Sequence, residues 1–182
     1  MRIRVLTIAV AALSPLAAAS AQIETSAQIQ AAPHNVLSFQ PLSAMLTVYS
    51  AEYERQTGSA VSVGVGGTYW SLGDGSDDLT YKSGDLKLRY YPQGVALRGF
   101  AFGGSVGFTT VTGTSDTGTD ETASGASFGV MLEYQWLMGA SRNFALALGV
   151  GAKALSVKEE TFSSGDFTAR YPTARISVGY AF

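Results

Sequence analysis

The sequence predicts an all-β protein, an eight-stranded antiparallel up-and-down transmembrane β-barrel. Three observations lead there. Apolar residues recur at every second position in eight segments from Asn35 onward, which is the period of a strand and not of a helix. The connections between segments alternate between tight turns and long acidic stretches. Within each segment the large apolar residues keep to one face, while Gly, Ala, Ser and charged residues keep to the other.

The eight predicted strands span 35–42, 46–56, 59–72, 79–91, 99–113, 126–138, 144–158 and 173–182. Pro41 should end the first or bend it, because a proline cannot donate to a sheet ladder. Short connections fall at Thr57-Gly58, at Pro92–Arg98 and at Gly139–Asn143. Long, polar ones fall at 73–78, 114–124 and 159–172, with PLSAM (41–45) as a short member of that set. In an up-and-down sheet alternate connections share an end. One end therefore carries tight turns and the other long loops, the asymmetry of outer-membrane barrels.

The face assignment follows from volume. In the third segment Val61, Val63, Val65 and Tyr69 alternate with Ser62, Gly64, Gly66 and Thr68. In the fourth, Leu86, Leu88 and Tyr90 alternate with Asp85, Lys87 and Arg89. An eight-stranded barrel has an interior only wide enough for side chains. The bulky face overfills it, whereas a Gly/Ala/Ser face leaves room for Arg and Glu. The bulky residues should therefore point outward, to hydrocarbon. The opposite assignment would make a soluble, lipocalin-like carrier. Aromatics fall into two rings, as two lipid–water interfaces favour. Tyr53, Tyr90, Phe100, Tyr134, Trp136, Phe144, Tyr180 and Phe182 lie towards the short turns, and Tyr69, Trp70, Tyr81, Phe108, Phe128 and Tyr171 towards the long loops.

The two ends of the sequence agree with export. Residues 1–21 read as a signal peptide: Arg2 and Arg4, then the apolar run Val5–Leu13, then Ala19-Ser20-Ala21 as a small-residue cleavage site. Residues 22–34 read as a flexible periplasmic segment, and 35–182 as the barrel. The last stretch, RISVGYAF, closes the sheet against the first strand and ends on Phe182. There is no Cys, so neither a disulfide nor thiol chemistry is available. The formal charge of −2 becomes −4 without Arg2 and Arg4, which gives no support to nucleic-acid binding.

Over 35–182 the chain resembles the small eight-stranded outer-membrane barrels of the OmpA/OmpX type. AEYERQ (51–56) followed by KLRYYPQGVALRGFAFGGSVGFT (87–109) resembles, more narrowly, a bacterial outer-membrane barrel family of unknown function. Terminal Phe182 with Tyr180 two residues before it resembles the carboxyl-terminal signature of such barrels, which implies recognition by the barrel-assembly machinery. The resemblance implies a barrel in the outer membrane and brings no activity and no catalytic residues; outer-membrane lipid and the assembly machinery are the expected partners, and the expected state is a monomer.

Three constellations could carry chemistry. Glu52, Glu54, Lys87, Arg89, Glu133, Lys153 and Arg175 lie on the small-residue face. Inside a narrow barrel they should pair, because an unpaired buried charge is costly. They read as a structural ion-pair network that fills the lumen, the alternative being a narrow ion path. The acidic loop residues Asp74, Asp77, Asp78, Asp116, Asp120, Glu121, Glu159, Glu160 and Asp166 are hard oxygen ligands of the kind calcium and magnesium take. GDGSDD nevertheless lacks the full calcium-loop pattern, so no cofactor or metal is expected. A lipid-modifying enzyme would need a Ser nucleophile with a His base, and the single His, His34, precedes the first strand. GVGG (64–67) and GVGAK (149–153) lack phosphate-loop spacing. The expected function is non-enzymatic: envelope support, or surface contact through the acidic loops.

Overall fold

A computed structural model describes residues 32–73, 79–114, 120–157 and 167–182. Eight antiparallel strands close into one barrel in simple sequence order. They are β1 (Asn35–Phe39), β2 (Val48–Gln56), β3 (Val61–Leu72), β4 (Leu79–Tyr90), β5 (Gly99–Thr114), β6 (Asp120–Met138), β7 (Phe144–Val157) and β8 (Phe167–Ala181), with one helical turn, α1 (Pro41–Ala44), between β1 and β2. The predicted segments 1–21, most of 22–34, and the acidic residues Asp74, Asp77, Asp78, Asp116, Glu159, Glu160 and Asp166 lie outside the described residues.

The register sets the barrel's shape. Val36 pairs with Glu54, Glu54 with Gly64, and the line continues through Lys87, Ser105, Gly129 and Lys153 to Tyr171 on β8. Val36 itself pairs with Ala181, ten residues beyond Tyr171. That stagger is the shear of the closed sheet, and with eight strands it tilts them by about 40°.

Side chains alternate across the wall as the volume argument requires. Leu86, Phe102 and Leu148 are exposed on the outside, and Ser62, Glu54, Arg89 and Glu133 are buried inside. Glycines provide the closest approaches. A Cβ on Gly179 would stand 2.4 Å from the Leu37 carbonyl oxygen, at the seam where β8 meets β1. A Cβ on Gly151 would stand 2.2 Å from the Val130 carbonyl oxygen.

The structure corrects three local expectations. The first strand stops at Phe39, because Pro41 starts α1. β6 begins at Asp120 and β8 at Phe167, well inside the stretches read as loops. In β6 Ser and Thr continue the sheet, with Thr110 bonded to Ser124 at 3.2 Å and Thr112 to Thr122 at 3.2 Å, and in β8 residues 167–172 pair with Val157–Ala152 of β7. Finally, Tyr81 and Tyr171 line the lumen and do not join an outer ring. They occupy the same parity as Asp85 and Arg175, which point inward, and a ring assigned by height alone overlooks parity.

The short-turn end is sealed. The 91–98 turn folds back into the mouth, placing Tyr91 and Leu97 at zero exposure beside Val36, Ala96, Ala101, Ala145 and Ala181. Backbone bonds from Tyr91 to Ala60 (2.8 Å) and from Ala96 to Ser59 (2.7 Å) hold the turn there. Gln135 donates to the Leu97 carbonyl at 2.8 Å, and Leu97 adopts a left-handed φ of 67° to reach this position.

Two substitutions test the seam. Gly179→Leu is expected to destabilise the folded barrel by about 1–3 kcal/mol through overpacking. Gly104→Leu, at a position with nothing within 4 Å of the added Cβ, is expected to change stability by less than about 0.5 kcal/mol. Denaturant titration in detergent, read by the mobility shift of folded against unfolded barrel on unheated gels, separates the two.

Candidate functional site

The candidate site is the lumen. Its charged side chains come from β2, β4, β6, β7 and β8, and the register gives each the space it occupies. Glu52 and Glu54 pair across β3 with Gly66 and Gly64, Arg89 on β4 pairs with Gly103, and Glu133 and Arg175 flank Gly149 from both sides. A long charged side chain can lie across the barrel axis only where its neighbour has no side chain. At Gly64 an added Cβ would stand 3.2 Å from the Arg89 guanidinium. The small-residue face is therefore the mould of the ionic one.

Two clusters result. In the larger, Arg89 lies where three carboxylates converge. Its Nη2 is 2.6 Å from Glu52 Oε1, its Nη1 3.4 Å from Glu54 Oε2, and its Nε pairs with Glu133. Arg175 crosses from β8, with Nη1 at 3.1 Å from Glu52 and 3.3 Å from Glu133. It also donates to Ser177 and Ser38 at 3.2 and 3.3 Å. Lys87 pairs with the free oxygen of Glu52. In the smaller cluster, Lys153 Nζ sits 2.7 and 3.0 Å from the two oxygens of Asp85, to which Ser127 also donates at 3.3 Å. Among the described residues four carboxylates thus meet four cations, and the ion pairs leave no net charge in the lumen.

All seven charged residues singled out in the sequence lie inside the barrel. Six of them meet in the larger cluster, while Lys153 stands apart with Asp85. Asp85 and Tyr91 were missed. Asp85 shares the parity of Lys87 and Arg89, and that alternation was the available signal. Tyr91 had none, since it follows Tyr90 and breaks the strand. Its hydroxyl donates to Glu54 Oε1 at 2.7 Å, beside a further bond from Ser62 to the same oxygen. Burial and the adjacent Glu54 carboxylate hold the Tyr91 phenol well above its ordinary pKa.

Tyr180 and Phe182, the expected assembly signal, stand at the short-turn end on the outer face, with ring centroids 6.1 Å apart. His34 lies at the same end, its Nδ1 3.1 Å from Gln56 Oε1. Asp120 and Glu121 belong to β6 by backbone. Among the described residues no group of three or more His, Cys, Asp or Glu side chains converges in a way that could hold a metal ion.

Above the ionic floor, towards the long loops, the lumen widens into a cavity of about 330 Å³. Gln40, Ser50, Thr68, Tyr81 and Tyr171 line its walls, and Lys87 and Lys153 border it from below.

No protein-family model matches the chain, and no curated protein matches it. Among solved structures, the chain is similar to the N-terminal β-barrel domain of Pseudomonas aeruginosa OprF, at 15% identity and a TM-score of 0.48, over 83% of this chain and 99% of that one.

Arg89→Ala leaves three buried carboxylates facing one another with Arg175 and Lys87 as their only cations. A loss of about 3–5 kcal/mol is expected from removing one partner of a buried ionic group, measured by denaturant unfolding in detergent. Arg89→Ala unfolding with the wild type would show that the network holds nothing together. A second expectation concerns pH. The raised phenol pKa means that Tyr91 contributes its stability fully below the ordinary tyrosine value of about 10 and loses it as pH rises further. Tyr91→Phe should flatten the alkaline limb of the stability profile, and an unchanged limb would count against the Tyr91–Glu54 contact.

Proposed function

We propose that this protein is a non-enzymatic barrel of the bacterial outer membrane. It supports the envelope as a sealed wall element and presents its acidic loops on the outside. The observation that carries this reading is an apolar belt around a lumen occupied by its own charges. Leu88, Val106, Phe108, Phe128, Val130 and Val150 are exposed on the outer face, and so continuous a surface exceeds what monomers leave in water. In hydrocarbon the same belt is favourable, and closure of the sheet pairs the backbone groups that lipid cannot. Tyr90, Tyr134, Trp136, Phe144, Tyr180 and Phe182 ring the belt at the short-turn end, and Tyr49, Tyr69, Phe108 and Phe128 at the other, which suits two interfaces.

The export reading of residues 1–21 and the Tyr180/Phe182 signal for the barrel-assembly machinery belong to the same proposal, as does a monomer embedded in outer-membrane lipid. The lumen favours a wall over a pore. The ionic floor spans the axis, and Tyr91 and Leu97 close the mouth beneath it. Catalysis finds no support in the geometry, because the one histidine sits at the short-turn mouth, remote from the lumen cavity.

Two measurements test this. Refolded protein should float with lipid vesicles in a density gradient; recovery in the aqueous fraction would return the chain to the soluble-carrier class. In planar bilayers it should give no steady conductance above the lipid baseline. Discrete channels would replace the sealed wall with a narrow pore.

A further inference from the structure

The charges of the lumen balance overall, but not on the side that faces the chamber. Of the charged residues lining it, Lys87, Arg89, Lys153 and Arg175 are cations, and only Asp85 and Glu133 are carboxylates. Glu52 and Glu54 supply the remaining negative charge and do not line it. Exposure agrees. The side chains of Lys87 and Lys153 keep 22% and 14% of their surface accessible, against 6% and 9% for their partners Glu52 and Asp85. Arg89 and Arg175 are enclosed, at 3% and 4%. The two lysine pairs therefore turn their ammonium groups, and not their carboxylates, towards the open space.

The register brings the two ammonium groups to one level. Glu52, which holds Lys87, pairs with Gly66, and Gly66 pairs with Asp85, which holds Lys153. The two carboxylates thus project inward from a single row, two strand spacings or about 10 Å apart at the backbone, with a residue lacking a side chain between them. Lys153 reaches this row from β7, its Nζ 2.7 and 3.0 Å from the Asp85 oxygens. An ammonium carries three N–H donors. Lys87 donates to one carboxylate oxygen and Lys153 to two, so each keeps a donor for a ligand. Above them the walls carry the hydroxyls of Ser50, Thr68 and Thr173 and the phenols of Tyr81 and Tyr171. The two tyrosines stand on β4 and β8, opposite each other in the closed sheet.

We propose that the chamber binds a small hydroxylated monocarboxylate, a sugar acid in chemical class. Its carboxylate lies between Lys87 and Lys153, and its hydroxyl groups meet the hydroxyl-bearing walls above. Charge-assisted hydrogen bonds from the two ammonium groups carry the affinity. The ligand is a single sugar ring because the chamber, about 330 Å³, is at the small end of ligand pockets. It bears one negative charge because both ammonium groups already share a carboxylate, and a second charge would go uncompensated in so narrow an interior. It enters from the long-loop end, since Tyr91 and Leu97 close the other, and it crosses no part of the sheet. Arrival from outside the cell rests on the membrane reading; the site itself does not.

The test is calorimetric titration of the full chain, folded in detergent, with glucuronate as probe and glucose as its neutral counterpart. One glucuronate per barrel is expected, with glucose weaker by about tenfold or more, the worth of a charge-assisted hydrogen bond. Lys153→Gln combined with Asp85→Asn removes one ammonium without stranding a buried charge, and should weaken glucuronate about tenfold on the same ground. Arg142→Gln removes an exposed cation at the short-turn end and should change nothing. If the double variant does not run as a folded band on unheated gels, the wild-type titrations decide alone. Glucose binding as tightly as glucuronate, or no saturable heat with glucuronate, overturns the site, as does full affinity in the folded double variant. Tighter binding of glucose 6-phosphate, a dianion, overturns the monocarboxylate. Vesicle flotation keeps the two readings apart: a barrel that floats and does not bind sinks this inference alone, and one that binds without floating upholds the site and sinks the membrane reading.

Discussion

Arg89 occupies the point on which the rest of this barrel turns. One guanidinium reaches Glu52, Glu54 and Glu133, from two other strands, and no strand could supply that arrangement alone. An ionic group of this kind is stable in a narrow interior only when each charge meets opposite charges at short range. That demand propagates outward. It requires glycine opposite each long side chain, which gives the inner face its small residues. Those in turn leave the bulk of the sequence's apolar volume for the outside.

The same constraint accounts for the two ends of the lumen. Below the ionic floor there is little width left, and the 91–98 turn fills it with Tyr91, Ala96 and Leu97. The left-handed backbone at Leu97 is tolerated because the leucine is fully enclosed and its carbonyl is held by Gln135. Above the floor the charges thin out to the Asp85–Lys153 pair, and the space reappears as a polar chamber. The wall changes character beside that chamber. β1 is only five residues long, so one helical turn stands where a strand would have continued.

Period and parity made most of this architecture legible. Each strand declared its two faces through residues such as Leu86/Lys87/Leu88/Arg89, and the alternation of tight and acidic connections gave the up-and-down order. The seven charges of the lumen could be picked out for the same reason. The misses share a cause as well. Asp85 was visible in the alternation, yet its partner Lys153 comes from β7, and nothing local distinguishes a paired carboxylate from an idle one. Tyr81 and Tyr171 were placed by height, although parity turns them inward. The extended β6 was hidden because the polar stretch Asp120–Ser124 reads as loop, and the extended β8 because Arg170 and Pro172 interrupt its apolar pattern, until a neighbouring strand supplies the ladder.

The sequence by itself determined the strand period, the inward and outward faces and the need for closure, because these follow from side-chain volume and backbone hydrogen bonding along each segment. Only the tertiary structure decided which charge meets which, that the 91–98 turn enters the barrel, and that β1 ends early enough for α1 to complete the wall. Those depend on shear, the stagger accumulated over eight pairings, which no single segment encodes.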